Sequence, residues 1–155
     1  MKMKYFVIIT AIMLCVLSTA CRTQKSTAVA SEVPYVVAKG YFVRNDVRRI
    51  PNGKITDARL FKEIFGAAAV MGPDGLPTKI DFEKDYVIVV SENASHTKTE
   101  IFPSSLSQLS DGTLRLVCRI EKGEEQSFTS LPCHILVVTR QYDAPLSIVR
   151  LPTMI

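Results

Sequence analysis

The chain has no tryptophan, only two histidines and seven glycines in 155 residues. Each shortage excludes something. The scattered glycines form no phosphate-cradling loop, and neither a G-x-S-x-G elbow nor an H-E-x-x-H helix is present. Serine-hydrolase and zinc-peptidase signatures are therefore missing. Long apolar runs are missing too: the hydrophobic stretch 5–17 has 13 residues, whereas crossing a bilayer takes about 20. Nor does charge of one sign dominate, with 19 basic against 15 acidic residues.

What is present at the start reads as a sorting signal. Lys2 and Lys4 precede the apolar run, and small residues follow it, which reads as a secretory signal peptide over residues 1–20. An amphipathic first helix would need a polar face, and none interrupts the run. Ser18-Thr19-Ala20-Cys21 resembles a bacterial lipobox, cut just before a lipid-bearing cysteine. Ser18 stands where that pattern prefers Leu, Val or Ile, and Ser18 with Ala20 would also suit ordinary signal peptidase. Both cuts start the mature chain at Cys21. The polar run that follows reads as a flexible spacer, so residues 21–32 are expected to link a lipid anchor to a β-domain over 33–155. The expected location is the outer membrane or cell envelope, at the surface.

Removing residues 1–20 leaves 135, the size of one domain with one core. Lys2 and Lys4 go with the signal, so 17 basic residues face 15 acids, a net of +2. Nucleic acid is not an expected partner, because no basic cluster interleaves with aromatics. Arg48, Arg49 and Lys54 read as a solvated loop.

The mature pattern is mainly strand. Segments 33–45, 79–82, 86–92, 96–106, 113–121, 126–131, 133–140 and 146–151 are rich in β-branched residues or alternate in polarity. Gly40 marks a bend, Pro103 an edge or strand end, Asp111-Gly112 a turn, and Lys122-Gly123-Glu124 a second turn. One short helix interrupts them, with Thr56 as its cap, Leu60, Phe61, Ile64 and Phe65 as its apolar face, and Gly66 as its stop. The expected fold is a single-domain antiparallel β-barrel or sandwich of seven to eight strands with one short helix.

Candidate chemistry is sparse. Cys118 shares a strand face with Leu114, Leu116 and Ile120, and Cys133 with Ile135 and Val137. A disulfide would be worth about 3 kcal/mol in the chain-entropy account; two buried thiols packed as small hydrophobes are the alternative. Adjacent strand residues point to opposite faces, so Cys133 and His134 cannot share one ion. Cys118, Cys133 and His96 have no recognised zinc spacing, and Asp81, Glu83 and Asp85 read as a solvated turn. No metal, cofactor or catalytic residue is expected.

Two resemblances give direction. The segments "IDFEKDYVIVV" and "QSFTSLPCHILVVTR" resemble the C-terminal domain of the PrcB subunit of a spirochaete surface protease complex, including Thr129, Pro132 and His134. The chain departs from that domain in having "SHTKTEIF" where a Gly-Gly-Tyr segment is expected. Size, lipobox and strand plan together resemble the potempins, small Bacteroidota lipoproteins that inhibit secreted peptidases with loops carried on a β-barrel. These resemblances imply a lipid-anchored inhibitor whose partner is a secreted peptidase. The alternatives are a non-inhibitory assembly or maturation subunit of a protease complex, and an envelope structural or ligand-binding lipoprotein. The first candidate contact is the proline-stiffened loop with Met71, Pro73, Asp74, Leu76 and Pro77; the second is Asn93, Ser95 and His96.

Overall fold

In the computed structural model, described over residues 29–68 and 75–152, short strands precede one helix and longer strands follow it. The order is β1 Val29–Glu32, β2 Val36–Val37, β3 Tyr41–Val43, β4 Gly53–Ile55, α1 Ala58–Ile64, β5 Phe65–Ala67, β6 Asp85–Ser91, β7 Ser95–Leu109, β8 Leu114–Ser130, β9 Cys133–Thr139 and β10 Leu146–Pro152. Sheet A has the order β1-β7-β8-β10, sheet B the order β2-β9-β6-β4, and β3 pairs with β5 alone.

Sheet A packs on sheet B. From one side come Leu106, Leu114, Leu116, Cys118 and Ile120, and from the other Tyr86, Ile88, Val90, Leu136 and Val138. The opposite face of sheet B is covered as well. Val87, Val89, Ile135 and Val137 meet Phe61 and Ile64 of α1 together with Phe65, Ile50 and Ile55. Strand β6 is thus buried on both faces, which is why "YVIVV" is continuously apolar rather than alternating. Each such side chain removed from water contributes about 1.5–3 kcal/mol.

The mainly β expectation holds, and its details change. The described residues form ten strands, not seven or eight, and no closed barrel. Segment 33–45 splits into β2 and β3 because Gly40 turns at φ 74°. Segment 79–82 forms no strand, while the separate strands expected on either side of Gly123 are one, β8. Gly123 turns nothing, since β7 pairs with β8 past it, from Ile101↔Ile120 to Ser95↔Ser130. Nor is the pairing wholly antiparallel: β10 runs parallel to β8, from Leu146↔Leu114 to Pro152↔Ile120. Four residues of the expected spacer lie in sheet A as β1, against the end of β7.

Local signals were closer. Pro103, expected at an edge or strand end, lies inside β7 opposite Cys118 and marks the register shift that follows it. Helix α1 is capped by Asp57 rather than Thr56: the Asp57 carboxylate accepts from the backbone N–H of Arg59 at 2.7 Å and Leu60 at 3.1 Å. Phe61, Ile64 and Phe65 are buried, whereas Leu60 is 43% exposed and leaves the expected face. The helix ends before Gly66, where Phe65 becomes extended and pairs with Val43.

Candidate interaction surfaces

The first candidate loop lies between Ala68 and Thr78. Met71, Pro73 and Asp74 lie outside the described residues; Leu76 and Pro77 lie within them. Both ends are held by one dipeptide. The Ala68 N–H donates to the Gly40 carbonyl at 2.8 Å, and the Thr78 N–H donates to the Lys39 carbonyl at 3.0 Å. The Lys39 N–H in turn donates to Thr78 Oγ1 at 2.9 Å, and Tyr41 Oη donates to the Thr78 carbonyl at 2.7 Å. Gly40 is required here: a Cβ on it would lie 2.8 Å from Pro77 Cα, on a backbone already at φ 74°. Leu76, 79% exposed, projects beside this neck.

Next to the neck an open groove of about 660 Å³ runs between α1, β5 and residues 79–83. Phe61 lies at its base, edge-on to Tyr41 at 5.1 Å between ring centroids and tilted against Phe65 and Phe82. Lys62, Lys79, Asp57, Asp81 and Glu83 line it in mixed charge. Asp81 is a turn residue, accepting from the Glu83 N–H at 3.1 Å. That bond first, and Lys84 next, hold its carboxyl below the ordinary range. A carboxylate held ionised in this way is unsuited to act as a general acid.

The second candidate lies at a corner where the chain crosses between sheets. Strand β6 passes into β7 through residues 92–94 while β8 passes back into β9 through Leu131 and Pro132; the Glu92 N–H donates to the Pro132 carbonyl at 3.0 Å. Asn93 is exposed on that link, and Ser95 and His96 open β7 opposite the end of β8. His96 Nε2 lies 3.3 Å from Thr129 Oγ1. The corner is braced by Arg150, whose guanidinium donates to Glu92 at 2.9 Å and to Asn52 Oδ1 at 2.7 Å. Asn52 Oδ1 also accepts from the Ser91 N–H at 2.7 Å. This long-range bridge had no signal in the sequence.

The return end of the first loop lies by the end of sheet B far from that corner: Thr78 and Lys79 line a groove with Tyr35, Val36, Asp85 and Thr139. Strand β2 runs antiparallel to β9, with Val36 opposite Val137 and the Ala38 N–H bonded to the Ile135 carbonyl. Past Ala38 the chain leaves β9: Lys39 and Gly40 bond Thr78 and Ala68, and Gly40 turns it into β3. The far end of the sheet is tied by Lys54, which donates to Asp143 and to the Ala144 carbonyl at 2.6 Å.

The remaining candidate groups are dispersed. Cys118 and Cys133 are free thiols. Cys118 packs between the sheets and Cys133 against the helix-side layer, so sheet B itself separates them and no bridge forms. Burial pushes the Cys118 thiol up to about 11 and raises Cys133 too, leaving both protonated and poor nucleophiles. His134 falls on the Leu136 and Val138 face of β9, opposite to Cys133. Its Nε2 is buried without a hydrogen-bond partner, and burial lowers its pKa. Among the described residues no three His, Cys, Asp or Glu side chains are grouped to hold a metal ion.

Sequence reasoning missed a further feature. Between Ser95↔Ser130 and Thr97↔Glu125, β7 advances two residues and β8 five, so β8 bulges over residues 126–129. The bulge leaves Phe128 58% exposed. The available signal was a lone aromatic inside a polar run, "EEQSFTS", which the turn reading of Gly123 obscured. Compared with known protein families, curated proteins and solved structures, the chain matches none.

Proposed function

We propose that this chain is a lipid-anchored, non-enzymatic binding module of the cell envelope that inhibits a secreted peptidase. The observation that carries this reading is the neck at Lys39 and Gly40. Fixing both ends of a loop before binding removes much of the ordering entropy that a cleft-entering segment would otherwise lose. The Asn93, Ser95 and His96 corner offers a second contact. The resemblances to the potempins and to the PrcB C-terminal domain agree with a β-domain that handles a peptidase. A ligand-carrying lipoprotein would need room between its sheets, whereas Tyr86, Leu106, Leu114, Leu116 and Leu136, all fully buried, fill that layer.

The test is an inhibition assay on soluble chain 21–155 carrying Cys21→Ser, against serine and metallopeptidases and any peptidase encoded beside it. The expected result is saturable inhibition with a stable complex. A stable complex that leaves the peptidase fully active would instead identify an assembly subunit. Absence of both complex and inhibition would refute the proposal.

A further inference from the structure

The outer edge of β8 changes character at Ile120. Up to that residue β10 pairs along it; from residue 121 to 130 it has no ladder partner among the described residues. This stretch is extended, lacks proline and pairs with β7 on either side of the bulge, at Glu121, Lys122, Glu125 and Ser130. An extended strand with one free edge can add to a partner's strand, main-chain bonds giving affinity and side-chain pockets giving selectivity. Phe128 is the largest side chain offered there. It stands on the bulge, two residues from Ser130, in the stretch whose Thr129 touches His96.

We infer that residues 124–129 of β8 enter the cleft of the partner peptidase in extended form, with Phe128 filling an apolar primary specificity pocket. The inference rests on the inhibitor reading and adds a specificity-determining residue to it. Binding is by occupancy, with no covalent step. A second copy of this chain is the poorer occupant. Edge-to-edge pairing would bring Glu121, Glu124 and Glu125 of two copies together, with one lysine each, Lys122, to offset them, and the bulge bends the edge away from flat pairing. The same acids favour a peptidase whose pocket is rimmed by basic residues.

Soluble chain 21–155 with Cys21→Ser is titrated against chymotrypsin, whose pocket takes aromatics, and trypsin, whose pocket takes arginine. The expected inhibition constant is lower for chymotrypsin, and Phe128→Ala raises it at least about tenfold, as loss of a buried aromatic anchor does. Phe128→Arg reverses the preference toward trypsin. Leu76→Ala weakens inhibition of both without changing their ratio. Unchanged melting temperatures of the Phe128 variants separate a contact effect from a folding effect. If inhibition persists and neither Phe128 variant alters the preference, the inference is overturned while the inhibitor reading stands. If the parent inhibits neither these two nor any peptidase of the wider panel, both are overturned.

Discussion

Strands β6 and β9 and strands β7 and β8 are two halves of one folded ribbon, joined at the corner of residues 92–94 and Leu131–Pro132. They differ in what covers them. The β6–β9 half has sheet A on one face and α1 with β5 on the other, and every β6 residue from Tyr86 to Ser91 is buried. Among the described residues the β7–β8 half is left by β1 at Ser107 and by β10 at Ile120, and residues 122–125 are all exposed. The same ladder geometry is therefore packed scaffold in one half and solvent-facing edge in the other. Composition follows the difference: "YVIVV" against "EKGEEQSFTS". A hydrogen-bonded ribbon without apolar cover contributes little net stability, since its bonds largely replace bonds to water. What it offers is backbone and side chains to a partner.

Substitutions in the two halves should break this contrast in opposite ways. Ile88→Ala, fully buried between the sheets, should destabilise by about 2–5 kcal/mol in chemical denaturation; a loss below 1 kcal/mol would mean that the β6 layer is not packed as described. Gly40→Ala should cost about 1–3 kcal/mol, because it adds a Cβ against Pro77 on a left-handed backbone. The same change should weaken any peptidase inhibition by more than its effect on melting implies.

A smaller effect concerns pH. Burial lowers the folded-state pKa of His134 below the ordinary value of 6.5. The unfolded chain then takes up a proton that the folded chain refuses, so stability is full above that value and falls as pH drops through it, levelling once the folded form also protonates. His134→Gln should flatten this step in the melting temperature between pH 7 and 5, while leaving the later acid loss from Asp57 and Asp81, whose carboxyls are held low. An unchanged step would place its origin elsewhere. Smallest of all, Gly123→Ala should shift stability by less than about 0.5 kcal/mol, because its new Cβ meets only the Lys98 side chain and carbonyl at ordinary contact distances. A large loss would show that the exposed half depends on its backbone there.

How much could be read beforehand follows the same division. Packed strands announced themselves: the face of Leu114, Leu116, Cys118 and Ile120 and the continuous run of β6 needed only periodicity. The Asp111-Gly112 turn and the bend at Gly40 followed from residue type. The exposed half misled, because Gly123 within polar residues has turn chemistry, and only pairing with β7 decides that the chain runs straight. Cys118 and Cys133 were each placed on the right face of their strands. That the two faces lie on opposite sides of sheet B depended on tertiary packing. The neck at Lys39 and Gly40 and the Arg150 bridge join residues tens of positions apart, and no local pattern encodes them.

Native-state hydrogen exchange on soluble chain 21–155, read by mass spectrometry, tests the contrast most directly. Amides of β6 and β9 between Tyr86 and Val90 and between Ile135 and Val138 should exchange only through opening close to global unfolding. Amides of residues 121–130 should exchange orders of magnitude faster in the free chain and slow when a peptidase is bound. Equal protection of both halves in the free chain would contradict the division into scaffold and binding edge.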